Sequence, residues 1–273
     1  MTQFRNSEHD DNQADEFLRR NELKHSTVQI ADSMMWLNRD GGGSLLWAFD
    51  GQGPACYGRG STSQWTENGT LDISSYEAVT GRGGPFVVLD GATDYLSIAD
   101  APWQEATTNN FLVWGWVNSN HIDVDMAIAS KWDETGNLRS WKTHLASSAF
   151  TFTCNSTGVG GADSVVTSTV TPVDGAWYFV AGYLQPSILQ SIGVAAAADT
   201  SLTYTANTTT PAAGVFDGVN TDLFVGALTG AVAAEEWWDG LLGVGLMRAN
   251  TPADSIRSHM TRIFASTRWF YGA

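Results

Sequence analysis

At 273 residues and 29.4 kDa, with 43% apolar, 11% aromatic and only 16% charged residues, the chain is long enough to bury a substantial core without metal or disulfide staples. A net charge of −15 repels phosphate backbones and anionic lipid, which argues against nucleic-acid and membrane-surface partners. Two cysteines, Cys56 and Cys154, are too few for a zinc framework or a disulfide scaffold, and no run of about 18 apolar residues exists to span a bilayer.

The first elements in chain order form an arm. Residues 1–43 are mixed in charge and poor in aromatics, and "ADEFLRRNELKH" offers only Phe17, Leu18 and Leu23 as an apolar stripe, with Phe4 further upstream. Such an arm is expected to lie against its own domain or a neighbouring subunit, which makes these four residues the assembly candidates. The start of the chain is polar and acidic where a secretory signal needs a basic start and a continuous apolar stretch. A place outside the cell, for instance on a virion surface, is therefore expected to be reached by another route.

After the glycine-rich break "NRDGGGS" the pattern turns to strands. "LLWAFDG" is short, and "FVVLDGATDYLSIAD" reads as two strands around a turn of Asp90, Gly91, Ala92 and Thr93. In "NNFLVWGWVNS", Leu112, Trp114 and Trp116 point one way and Phe111, Val113 and Val117 the other, a period-2 alternation that marks a strand. "AIASKWDETG" predicts a strand and turn, and "SWKTHLAS" with "AFTFTCNSTG" a hairpin ending at Cys154, a buried thiol by its place in the alternation, with a bridge to Cys56 as the alternative. "VDGAWYFVAGYLQ", "LQSIGVAA", "SLTYTA", "TDLFVGAL" and "WDGLLGVGLMRA" close the series. About a dozen strands spaced this way predict an all-β antiparallel sandwich or barrel.

"TPADSIRSHMTRIF" predicts a short C-terminal helix with Thr251 as N-cap, Pro252 at the first helical position and Asp254 completing a capping box. Ile256, Met260, Ile263 and Phe264 line one face, which should dock on the edge of the sandwich.

The order of "LLWAFDG", "FVVLDGATDYLSIAD", "NNFLVWGWVN", "IASKWDETG", "GAWYFVAGYLQ", "DLFVGAL" and "WDGLLGVGLMRANTPADSIRSHM" resembles a laminin G-like jelly roll of the concanavalin A-like lectin/glucanase superfamily over about residues 44 to 262. The resemblance implies two antiparallel sheets, one convex and one concave, packed face to face, in a domain spanning residues 44–273. It is nearly silent on activity.

Asp90 and Asp94 are candidates for a calcium ion, which relatives place near such turns, and candidates for a plain turn, in which Asp90 holds backbone N–H groups and Gly91 supplies a positive φ. Gly243 stands where relatives often carry an aspartate, which weighs against calcium, so no cofactor is expected. Glucanases of the superfamily carry a strand-borne E-x-D-x-x-E that sets carboxylates about 5 to 5.5 Å apart. This chain has none. "EEWWD", with Glu235 and Asp239, is the nearest cluster, and "HIDVD" places His121, Asp123 and Asp125 on one side, a solvated strand edge or loop with a cation site as the alternative. The five histidines show no metal-ligand spacing and no triad has local support. Among the twelve tryptophans, Trp114, Trp116 and Trp177 are expected in the core. Trp65, Trp103 and Trp132 lie near turns, and Trp237 and Trp238 are adjacent so that one of them faces out. These five are the glycan-binding candidates.

From Thr143 to Met247 there is no Lys or Arg, which leaves a neutral polar surface with few charges to desolvate against a partner. The first expectation is therefore a non-enzymatic structural or decoration protein of a particle, most plausibly a virion, assembling as a homo-oligomer or with other subunits through the arm. A carbohydrate-binding or adhesin module is the alternative, and a glycan hydrolase or lyase ranks last.

Overall fold

The structure is a computed structural model that describes residues 44–49, 54–57, 65–80, 82, 84–101, 109–216, 221–229, 234–249 and 256–272. The arm residues Phe4, Phe17, Leu18 and Leu23, and the helix start at Thr251, Pro252 and Asp254, lie outside the described residues. In chain order the strands are β1 (Ser44–Phe49), β2 (Pro54–Tyr57), β3 (Thr66–Asn68), β4 (Tyr76–Ala78), β5 (Pro85–Asp90), β6 (Tyr95–Ile98), β7 (Phe111–Asn118), β8 (Met126–Asp133), β9 (Leu138–Ala146), β10 (Ala149–Gly158), β11 (Asp163–Thr167), β12 (Tyr178–Gln185), β13 (Leu189–Ala196), β14 (Thr203–Asn207), β15 (Leu223–Val225), β16 (Leu228–Thr229), β17 (Ala234–Glu235) and β18 (Asp239–Ala249), and helix α1 (Ile256–Tyr271) follows.

They form two antiparallel sheets packed as a jelly-roll sandwich. The first runs β14-β13-β12-β7-β18-β1-β2, with β5 also on β18 and β4 on β5; the second runs β11-β10-β9-β8-β15-β6-β3, with β16 joining β8 through one parallel bridge and β17 joining β16. Neighbours such as β7, β18 and β1 are distant in sequence, so the sheets are built by crossovers and not by a meander. β3, β4 and β11 are short elements that alternation did not signal, because three to five residues carry too little pattern.

The core between the sheets takes Phe111, Val113 and Val117 from β7, Val180 and Leu184 from β12, and Trp141, Leu145, Phe150 and Phe152 from β9 and β10. Phe111 sits 4.9 Å from Trp141 and 6.2 Å from Phe152, ring to ring, across the sandwich. Cys154 lies in this core as a free thiol, so it makes no bridge to Cys56, and burial pushes its thiol well above the ordinary range.

The other face of β7 is also buried. Leu112, Trp114 and Trp116 join Phe179 and Ala181 of β12 under Ile256, Met260, Ile263, Phe264 and Tyr271 of α1. The helix therefore covers the outer face of the first sheet, and the expectation of edge docking is corrected. Its apolar stripe also continues to Tyr271, past the end predicted at Phe264. The reason is on β7: a strand apolar on both faces must be covered on both. Gly243 of β18 fits this arrangement, since a Cβ there would stand 2.7 Å from the Tyr271 ring. The missing side chain leaves room for the helix end, where the Tyr271 hydroxyl donates to the Pro85 carbonyl at 2.8 Å.

Candidate binding face on the second sheet

The β5–β6 turn holds its own aspartates. Asp90 accepts the N–H groups of Ala92, Thr93 and Asp94 at 2.8–2.9 Å and the Thr93 hydroxyl at 2.8 Å. Burial opposes ionisation of Asp90, but these donors outweigh it and hold the carboxyl down to about 2. Asp94 is buried and accepts the Thr70 N–H and hydroxyl at 2.6 and 3.1 Å, and Gly91 takes a φ of 68° that suits glycine. Both carboxylates are thus engaged in shaping the turn. Asp90→Ala is expected to cost about 1 kcal/mol, since the site is exposed, and the unfolding midpoint of either protein should be the same in EDTA and in millimolar calcium. A calcium-dependent midpoint in the wild type alone would mean that the turn binds an ion.

The tryptophans expected near the surface are mostly plugs. Trp65, Trp132 and Trp238 are 7%, 2% and 1% exposed, which corrects the expectation of exposure for Trp65 and Trp132 and makes Trp238 the inward member of its pair. Trp65 and Trp238 join the main core, the latter with its indole N–H donating to the Asn118 carbonyl at 3.3 Å. Trp132 packs with Ala127 and Leu228, and its N–H donates to Glu134 Oε1 at 3.1 Å. Proximity to a turn is no sign of exposure for so large a ring, which fills the space where a sandwich tapers. Trp103 lies outside the described residues, and Trp177 is half-buried against Tyr271 at 4.7 Å.

Trp237 is the candidate that stays partly exposed. Its ring meets Tyr95 edge-on at 5.3 Å, and Tyr95 meets Phe224 edge-on at 5.1 Å; all three are half-buried. On β6, Leu96 and Ile98 face the core, so Tyr95 and Ser97 face outward; on β15, Leu223 and Val225 face in and Phe224 out. Strand register then aligns Thr66, Ser97, Phe224, Ser130, Lys142 and Thr153 in one row across the second sheet's outer face. Phe224 and Lys142 stand two strand spacings apart, about 10 Å.

Glu236 and Trp237 connect Lys142 of this row to Tyr95 beside it. Glu236 adopts a φ of 48°, an uncommon conformation for a residue other than glycine, and its carbonyl accepts the Ala127 N–H at 2.7 Å. Its carboxylate meets Lys142 Nζ at 3.2 and 3.4 Å, and that ammonium lies 5.3 Å from the centre of the Trp132 ring. Burial raises the Glu236 carboxyl above its ordinary range; Lys142 offsets part of this, while Asp125 and Glu134 add to it. The next side chain, Trp237, turns to Tyr95. Ser97, Ser130 and Thr153 of the row are buried, so what this face presents is the partly exposed Tyr95, Phe224 and Trp237 beside the Glu236–Lys142 pair.

Tyr95, Phe224, Glu236 and Lys142 were not among the sequence candidates. Strand parity could have found two of them, because Tyr95 and Phe224 are aromatic residues at outward positions. The polar clusters of the sequence fall elsewhere: Asp239 pairs with His121 Nε2 at 3.2 Å, both half-exposed, and Asp125 accepts the Ser147 N–H at 2.8 Å. Among the described residues no group of three metal-ligating side chains converges and no helix is long and apolar enough to cross a membrane.

No protein-family model matches the chain, and no curated protein matches it. Solved structures do. The binding domain of Paraclostridial Mosquitocidal Protein 1 is 9% identical with a TM-score of 0.57, over 82% of this chain and 52% of that one. The binding domain of botulinum neurotoxin DC, in complex with rat synaptotagmin II, is 11% identical with a TM-score of 0.53, over 82% and 51%. A third, from a study of botulinum neurotoxin type C whose cell entry depends on interaction with two ganglioside molecules, is 10% identical with a TM-score of 0.51, over 84% and 53%. At such identities the likeness is one of fold, a jelly-roll sandwich, and this chain spans about half the length of the structures it matches. The first two of these neighbours are binding domains.

Proposed function

We propose that this chain is a non-enzymatic glycan-binding module, a laminin G-like jelly roll that presents its ligand to the outer face of the second sheet. The observation that carries the reading is the partly exposed trio Tyr95, Phe224 and Trp237 beside the Glu236–Lys142 pair. Aromatic faces bury the C–H faces of a pyranose ring, and a few fixed polar groups orient its hydroxyls. On the first sheet α1 covers the outer face over β7, β12 and β13, and this supports putting the ligand on the second. The particle-assembly reading rests on residues 1–43 and on the neutral polar surface, and has no neighbour named above in its favour. A binding module has two binding domains, one of them in complex with rat synaptotagmin II, and a third neighbour linked to gangliosides. Under this reading the domain works at an extracellular surface and calls on no cofactor.

A glycan array probed with wild type and Trp237→Ala tests it. Wild type should be retained by a defined subset of glycans, and the variant, folded by circular dichroism, should bind them at least about tenfold more weakly. A blank array, or retention unchanged by the substitution, would sink the reading.

A further inference from the structure

The charges around the trio choose between two kinds of glycan. Three carboxylates stand together: Glu236, with Asp125 and Glu134 close enough to act on it electrostatically. The described cations among them each face a carboxylate. Lys142 is held by both oxygens of Glu236, with side chains 11% and 25% exposed respectively. Arg139 Nη2 lies 3.9 Å from Glu134 Oε2. From Thr143 to Met247 the sequence supplies no further Lys or Arg to this sheet, and the whole chain carries −15.

We infer that this face takes neutral glycans and rejects sialylated or otherwise anionic ones, with Glu236 as the residue that sets the choice. The inference rests on the glycan-binding reading above. Recognition of a terminal carboxylate requires an available cation or convergent N–H donors. Here Lys142 is engaged by Glu236, and an incoming carboxylate would meet the charge of Glu236 before it met the ammonium. Neutral hydroxyls have the opposite experience. The Glu236 carboxylate offers acceptors and the Lys142 ammonium a donor, while Trp237, next to Glu236 in the chain, and Tyr95, three strands from Lys142, supply aromatic surface. Like-charge juxtaposition works as a filter against the wrong ligand and adds little to affinity for the right one.

The test uses paired immobilised glycans that differ by one terminal sialic acid, probed with the full chain, with Glu236→Gln and with Trp237→Ala at low salt. Wild type should retain the neutral member of a pair at least about tenfold better than its sialylated partner, and the ratio should shrink as salt screens the charges. Glu236→Gln removes the charge and frees Lys142, so its neutral-to-sialylated ratio should fall several-fold, while Trp237→Ala weakens both members together. Equal or tighter binding of sialylated members by wild type would overturn the inference and leave the glycan-binding reading standing. Binding of no member of any pair would remove both.

Discussion

Trp116→Ala should be among the most damaging single substitutions in this domain, at about 3–5 kcal/mol, although Trp116 lies outside the space between the sheets. The ring is completely buried, stacks on Tyr271 at 4.8 Å and Phe264 at 6.0 Å, and meets Phe179 edge-on at 5.6 Å. Its indole N–H donates to the Thr267 hydroxyl at 2.9 Å, and Thr267 in turn donates to the Ile263 carbonyl at 2.8 Å. Truncation would leave a cavity between β7 and α1 that neither can close, because β7 is held on both sides by β12 and β18. Trp116→Phe keeps most of the ring and loses the hydrogen bond, so it should cost about 1–2 kcal/mol. Urea unfolding of the three proteins checks the order. A loss below about 1 kcal/mol for Trp116→Ala would mean that α1 is a loose appendage and the second core contributes little. The same contact explains why Gly243 has no side chain: a methyl there would push Tyr271 off the ring it stacks on.

The two-sheet architecture was legible because it is written in local alternation. "FLVWGWVN" separated its residues correctly into two faces, and the hairpin of β9 and β10 falls where the pattern put it. What covers each face was less legible, since the outer partner of β7 is a helix that begins nearly 140 residues later, by the numbering of Trp116 and Ile256. The site was less legible still. Tyr95, Phe224 and Trp237 come from three separated segments, and only the adjacent pair Trp237 and Trp238 gave a signal, namely that one ring of the two faces out. Lys142 and Glu236 are ordinary surface-type residues in sequence. Register across β8, β9 and β15 and a left-handed backbone at Glu236 bring them to one face, and neither is a property of a short window. Asp90 is the converse case: a turn motif whose chemistry is local, so the structural option considered from sequence alone describes the bonds it makes.

Acid should weaken the fold through His144 well above the range where carboxylates titrate. His144 on β9 is buried beside Thr151 of β10, with the Thr151 hydroxyl 2.9 and 3.0 Å from its two ring nitrogens. Burial, with the charge of Lys142 adding to it, pushes the imidazole down to about 3. The unfolded chain takes up a proton near pH 6.5 and the folded one does not, so the stability associated with the neutral ring is fully present above 6.5 and is lost as pH falls toward 3. The slope approaches about 1.4 kcal/mol per pH unit, or about 2 kcal/mol between pH 7 and pH 5. Glu236 acts in the other sense. Its folded carboxyl is raised, so it contributes stability at low pH that is lost as pH rises, and it offsets part of the loss. The comparison must therefore be between proteins and not between pH values alone. His144→Gln keeps a polar partner for Thr151 and removes the titration, so urea unfolding at pH 7 and pH 5 should show wild type losing about 2 kcal/mol more than the variant. Equal losses would show that His144 protonates within the folded domain, and that the outer face of the second sheet is open enough to solvate an imidazolium. That result would bear on the ligand as well, because a charged His144 would place a free cation two residues along β9 from Lys142 and weaken the argument for neutral glycans at acid pH.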